Sequence, residues 1–159
     1  MKPAAPPHAL RGLTPVEHLV HGLAGVGVVV QALTGLSSTL GLAELEGWKL
    51  LIHMSGAGMF TLGLVGVTLF WTGRCRFGAA APTPRVPLNS AQKTLFWLGL
   101  LSGWLVMLPM LLAMLPLFSI AVQRQLIEWH ERAAFALVAI MVLHTIVSAV
   151  TWWKRGKTS

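Results

Sequence analysis

Four long apolar stretches constrain this chain more than any other feature, because each is about as long as the ~20 residues an α-helix needs to cross a lipid bilayer. Of all residues, 55% are hydrophobic and 11% are charged, and the mean hydropathy is +0.69. This is too apolar for a soluble domain of 159 residues. The sequence predicts an all-α integral membrane four-helix bundle over residues 15–153, with spans over about 15–40, 50–73, 94–122 and 126–153.

The segments outside the spans are short and basic. Residues 1–14 form a tail rich in Pro and Ala, 74–93 form the one long loop, and 154–159 form a closing tail. Together they hold nine of the 12 Lys and Arg residues, so the positive-inside rule predicts that both termini and the loop are cytoplasmic. The excess positive charge, +7 in total, lies mainly at the ends of the spans. This placement favours membrane lipid over nucleic acid as the partner of these basic residues. The chain has one cysteine, Cys75, and lacks the Cys-x-x-Cys-His motif of c-type haem attachment.

Two histidines, His130 and His144, lie inside the fourth apolar stretch, fourteen residues apart. At ~100° and ~1.5 Å per residue, this spacing places them within ~40° on one helix face and ~21 Å apart along the axis. An ionisable side chain inside a span is costly, normally faces the bundle interior and marks a functional site. The fourth span therefore predicts two functional levels, and the other spans are expected to supply partners at each.

Histidines on the first two spans match these levels in depth. His53 opens the second span and His130 opens the fourth, so both are expected near the outer, less basic surface. On the cytoplasmic side, His144 and His21 each lie ten residues from a basic residue of a cytoplasmic tail. His18 lies nearer the surface and is the weaker candidate.

Pairs of imidazoles from different helices at two levels are the arrangement that holds two b-type haems, with one imidazole on each side of each iron. A histidine proton pathway and purely structural histidines are the alternatives, because single histidines in spans commonly have those roles and small residues also mediate plain helix packing. Small residues beside the histidines are expected to leave room for a flat macrocycle: Gly22, Gly25, Gly27, Gly56, Gly58, Ala133 and Ala134.

Three short motifs on different spans carry a resemblance to a known family. They are the spacing of His130 and His144, the segment Asn89-Ser90-Ala91-Gln92-Lys93 followed by Phe96-Trp97, and His21 fourteen residues before Gly35 in the pair Thr34-Gly35. Together they resemble the cytochrome b (gamma) subunit of respiratory formate dehydrogenases, a four-span di-haem membrane protein related to other small quinone-linked cytochromes b. The chain departs from that family in the first span, where Glu17-His18-Leu19-Val20-His21-Gly22 replaces Arg-x-x-His-Trp. His18 therefore stays an alternative to His21.

The resemblance implies a ligand set and a function. His53 and His130 would ligate the outer haem, and His21 and His144 the inner one, in agreement with the depth argument. A quinone, menaquinone or ubiquinone, would bind beside the inner haem with Asn89 near its head group. The chain would be a subunit in the bacterial inner membrane that passes electrons from an iron-sulfur partner to quinone. A molybdenum- or tungsten-dependent partner, and not this chain, would oxidise the substrate.

Other functions stay open at the level of sequence. The ligands do not set the direction of electron flow, so the chain could instead oxidise quinol for a different reductase or hydrogenase complex. From other classes, a histidine-dependent proton or metal transporter and an inert membrane anchor are alternatives. A reduced-minus-oxidised visible spectrum separates these classes, because only the cytochrome predicts a b-type α-band.

Overall fold

The computed structural model describes residues 14–73, 75–77 and 88–157. The predictions for the tail 1–13 and for most of the 74–93 loop lie outside the described residues. The described chain forms four α-helices, each long and apolar enough to cross a membrane. This confirms the predicted all-α fold with four spans. The helices are α1 (Pro15–Thr39), α2 (Gly47–Trp71), α3 (Ser90–Ala113) and α4 (Ile120–Gly156).

Capping boxes set the starts of α1 and α3. Thr14 accepts a hydrogen bond from the Glu17 amide, and the Glu17 carboxylate accepts one from the Thr14 amide at 2.7 Å. Asn89 and Gln92 make the same reciprocal pair at α3. Each pair satisfies two amides that the first turn of a helix leaves without a partner. The predicted start of the third span at residue 94 is therefore late, because the helix begins at Ser90.

The third and fourth helices meet at a different place from the one predicted. The sequence predicts a third span reaching about residue 122, but α3 ends at Ala113 and α4 begins at Ile120. Pro116 lies between them and has no amide hydrogen to continue the helix. Ser119 then starts the new helix, with its side chain accepting from the Val122 amide at 3.4 Å. Pro109 remains inside α3.

The bundle consists of two antiparallel helical hairpins. α1 packs closely against α2, and α3 packs closely against α4, whereas α2 touches α3 and α1 touches α4 at few places. We call the zone between the two hairpins the seam. The terminal end of the bundle is where α1 and α3 begin and α2 and α4 end, and the turn end is the opposite one.

Glycines bring α1 and α2 into backbone contact. A Cβ atom built on Gly27 would lie 2.5 Å from the Phe60 nitrogen, and one on Gly63 would lie 2.6 Å from the Ala24 Cα. Small residues allow this close approach of helices in membranes. The expectation that Gly27 and Gly56 leave room for a macrocycle is wrong, because Gly27 packs on Phe60 and a Cβ on Gly56 would meet Val30 at 2.7 Å.

Buried side chains pack across the seam at the middle of the bundle. Its buried cluster joins both hairpins and excludes water there. Elsewhere, large apolar side chains cover the outer surface of all four helices, as expected for helices surrounded by lipid. The seam cluster contains Phe60, Leu64, Leu100, Val106 and Leu137.

Candidate functional site

A cavity of about 490 Å³ opens in the seam toward the turn end. This volume falls in the ~300–1,000 Å³ range of small-molecule and cofactor sites. His53 of α2 and His130 of α4 both line it, and their charges lie close enough to interact. The structure thus brings together the two histidines predicted for the outer level, one from each hairpin. Most of the remaining lining is apolar and includes Ala57, Phe60, Met107, Met110, Ala134 and Val138.

The His53 ring is held by a hydroxyl of the neighbouring helix. The Nδ1 atom of His53 lies 2.8 Å from the Thr34 Oγ1 atom. With the Thr34 hydroxyl hydrogen assigned to the Val30 carbonyl, which lies 2.7 Å away, the Thr34 oxygen is the acceptor for His53. A neutral His53 therefore carries its proton on Nδ1 and has an unprotonated Nε2.

The His130 ring is held in an equivalent way by backbone. Its Nδ1 atom lies 2.8 Å from the carbonyl oxygen of Val106 on α3. A carbonyl only accepts, so Nδ1 donates and Nε2 is unprotonated in the neutral ring.

The outer pair therefore has the chemistry of a metal-ligand pair. Neutral imidazole binds metals through its unprotonated nitrogen, and the other ring N–H of such a ligand is usually bonded to an oxygen that fixes the tautomer. His53 and His130 both meet this condition across one apolar cavity. Among the described residues, no group of three or more His, Cys, Asp or Glu side chains gathers at one point.

The pair predicted for the inner level lies toward the terminal end of the bundle. The ring of His21 lies 4.4 Å from that of Trp71, centroid to centroid, at an interplanar angle of 53°. His21 lies close enough to His144 for an electrostatic interaction between the two rings. The Nδ1 atom of His144 is buried and has no hydrogen-bond partner within the described part of the chain. His144 therefore lacks, among the described residues, the oxygen acceptor that each outer histidine has.

His18, the alternative to His21, is engaged with its own helix. Its Nδ1 atom lies 3.0 Å from the carbonyl oxygen of Thr14, and the side chain is exposed. His21 is also exposed. Its ring, however, contacts that of Trp71 on α2 and lies close enough to His144 for an electrostatic interaction. The contacts therefore favour His21 as the partner of His144.

The segment around Asn89 joins neighbouring elements at the terminal end. Asn89 caps α3, and its side-chain amide (Nδ2) donates a hydrogen bond to the Thr151 hydroxyl of α4 at 3.3 Å. Two further side chains of α3 bond the backbone that follows α2: Lys93 donates to the Arg76 carbonyl and Trp97 to the Cys75 carbonyl, each at 3.0 Å. The Asn-x-x-Gln-Lys motif therefore has a structural role, whichever ligand binds near it.

Sequence reasoning missed the residues that hold the outer histidines. Thr34 and Gly35 were given no contact with a histidine by the sequence, but they pack against His53, with a Cβ on Gly35 only 3.2 Å from the His53 Cε1 atom. Nothing in the sequence marks the Val106 carbonyl except the nearby Pro109, which signals an irregular turn in α3.

A second apolar cavity of about 450 Å³ lies between α1 and α4. It shares Val28, Ala32 and Val138 with the outer cavity, so the two are adjacent along the seam. Its lining reaches Thr145, next to His144. The seam therefore offers apolar volume from the outer pair toward the inner one.

The fold and its histidine pairs define a class of chain: a four-helix protein of membrane-spanning length with imidazoles paired across two hairpins. Comparison with protein-family models, with curated proteins and with solved structures found no match for this chain.

Proposed function

We propose that this chain is a di-haem b-type cytochrome subunit of a membrane-bound oxidoreductase, which passes electrons across the membrane between an iron-sulfur partner and a quinone. The observation that carries the proposal is the outer pair. His53 and His130 come from different hairpins, line one apolar cavity and each bond an oxygen through Nδ1.

The residues of the outer site fit the cofactor. The outer cavity has the volume of a cofactor site, its lining is mostly apolar, and its two histidines leave Nε2 unprotonated. His53 and His130 would hold one haem, and His21 and His144 a second. Bound haem supplies reversible one-electron chemistry at its iron.

The protein would set position and surroundings. Thr34 and the Val106 carbonyl would orient the outer ligands, and the buried cluster of the seam would keep water from the middle of the bundle. α4 is one continuous helix, so it fixes the ~21 Å axial separation of His130 and His144. This separation is shortened by the width of two macrocycles, which suits transfer in two steps.

The quinone, menaquinone or ubiquinone, is proposed at the terminal end, beside His144 and near Asn89. The iron-sulfur partner is proposed at the turn end, and a molybdenum- or tungsten-dependent subunit would oxidise the substrate, as in formate dehydrogenases. The membrane would be the bacterial inner membrane with both termini cytoplasmic, because the basic segments adjoin the terminal end. Quinol oxidation for another reductase or hydrogenase uses the same sites in the opposite direction.

The test is haem content together with a visible spectrum. The chain purified in mild detergent should bind two haems and show a b-type α-band in the reduced-minus-oxidised spectrum. His130→Ala and His144→Ala should each lose one haem, whereas the matched control His18→Ala should keep both.

Two results would overturn the proposal. Absence of a b-type band from the fully haem-supplied protein would favour a transporter or an anchor. Retention of both haems by His130→Ala would refute the outer pair.

A further inference from the structure

Thr34 occupies an unusual place for a threonine hydroxyl in a span. Its Oγ1 atom lies 2.7 Å from the Val30 carbonyl of its own helix and 2.8 Å from the Nδ1 atom of His53 on α2. Most Ser and Thr hydroxyls in spans bond only the carbonyl one turn earlier in their own helix. Thr68 of α2 is an example, with its hydroxyl 2.7 Å from the Leu64 carbonyl.

We propose that Thr34 is a positioning residue for His53, which fixes the tautomer and the ring plane of that ligand and strengthens its metal-binding nitrogen. The proposal rests on the proposed function for its effect on haem. The hydrogen-bond geometry on which it is based is independent of haem. Thr34 does not touch the metal in this scheme and acts through the imidazole.

Gly35 completes the arrangement. A Cβ atom at this position would lie 3.2 Å from the His53 Cε1 atom, which is tighter than ordinary van der Waals contact. The absent side chain therefore lets the imidazole edge approach α1 closely enough for Nδ1 to reach Thr34. In the pair Thr34-Gly35, Thr34 thus supplies an acceptor for the Nδ1 atom of His53, and Gly35 leaves space for the adjacent Cε1 atom.

The effect on the ligand follows from the direction of the hydrogen bond. An imidazole that donates its N–H to an oxygen is a more basic ligand through its other nitrogen. A more basic ligand favours the more highly charged ferric ion, so it increases affinity and lowers the midpoint potential. Loss of such a partner typically weakens metal binding ~10–100-fold.

The two proposed sites differ in this respect. At the outer level both Nδ1 atoms bond an oxygen, from Thr34 and from the Val106 backbone. At the inner level the Nδ1 atom of His144 has no such partner among the described residues. A change at Thr34 should therefore alter one haem of the two, and that one alone.

The experiment compares Thr34→Val with Thr34→Ser in the full chain. Valine keeps the branched shape and removes the acceptor, whereas serine keeps the hydroxyl. Thr68→Val is the matched control, because it removes a hydroxyl that bonds a carbonyl of its own helix. Thr34→Ala is a second variant without the hydroxyl, should valine prevent accumulation of folded protein.

The readouts are a redox titration of both haems, haem dissociation at the His53 site, and nitrogen NMR of the His53 tautomer in protein prepared without haem. In Thr34→Val we expect one midpoint potential to rise and one haem to dissociate ~10–100-fold faster or bind that much more weakly. We also expect the Nδ1–H tautomer of His53 to lose its dominance. Thr34→Ser and Thr68→Val should behave as the wild type.

The outcomes separate this inference from the proposed function. If the wild type binds no haem, the proposed function fails, and the NMR measurement still tests Thr34. If haem binds and Thr34→Val leaves the His53 tautomer and both potentials unchanged, Thr34 does not position His53. An equal shift in Thr68→Val would also overturn the proposal, since it would indicate a general effect on the helices.

Discussion

Replacing Gly63 by Ala should separate α1 from α2. Ordinary van der Waals contact begins at 3.4 Å, but the new Cβ would lie 2.6 Å from the Ala24 Cα atom and closer still to the Ala24 nitrogen, so the helices must move apart by at least roughly 0.8 Å. The obstacle is backbone and cannot rotate away. Overpacking of this kind typically costs ~1–3 kcal/mol.

Gly58→Ala is the matched control on the same helix. Nothing lies within 4 Å of a Cβ at Gly58, and the residue is exposed. Both substitutions gain the same helix propensity of ~1 kcal/mol. The difference in unfolding free energy between the two variants therefore isolates the overpacking cost, with Gly58→Ala the more stable by ~1–3 kcal/mol.

The assay uses the single thiol of the chain. Cys75 is 0% exposed, so a thiol-reactive fluorescent dye should label it only when the surrounding structure opens. For a chain of this size, each kcal/mol corresponds to a shift of roughly 2–4 °C in the labelling midpoint on heating. Equal midpoints for Gly63→Ala and Gly58→Ala would show that the α1–α2 contact is not as close as described.

Two further changes test the terminal end. Asn89→Ala should lower the unfolding free energy by ~0.5–2 kcal/mol because the α3 cap is lost, and Asn89→Ser should restore most of that loss in the same melting assay. If Asn89→Ser melts like the wild type and yet has lost quinone reactivity, the Asn89 side-chain amide has a role beyond capping. Trp97→Phe removes the 3.0 Å hydrogen bond to the Cys75 carbonyl, which contributes ~1 kcal/mol. The rate of Cys75 labelling below the melting transition should therefore rise. An unchanged rate would mean that this hydrogen bond does not hold the segment after α2.

The helices could be predicted because their signals are local. Apolar stretches of membrane length indicated four spans, and Pro15 marked the first position of α1. The start of α3 at Ser90, ahead of the predicted residue 94, also has a local signal, because Asn89 followed by Gln92 is a capping-box pattern. The end of α3 was misplaced because apolar residues continue past Ala113 on both sides of Pro116, and hydropathy alone does not separate a turn from a helix.

The partners of the histidines could not be predicted in the same way. Spans that are apolar on all sides carry little information about which face meets which neighbour. The roles of Thr34 and Val106 depend on contacts between helices distant in sequence. Gly27 was assigned to cofactor space on proximity to His21 in sequence, whereas the contact it makes is with Phe60 of α2.

Biogenesis of the chain should follow the division into two hairpins. α1 and α2 complete most of their contacts with each other, as α3 and α4 do, so the first pair can assemble in the bilayer before the second pair leaves the translocation machinery. The proposed haem would then enter sideways between the two assembled hairpins, without unwinding of a helix. Formation of the complete protein would then depend on when the two hairpins pack against each other.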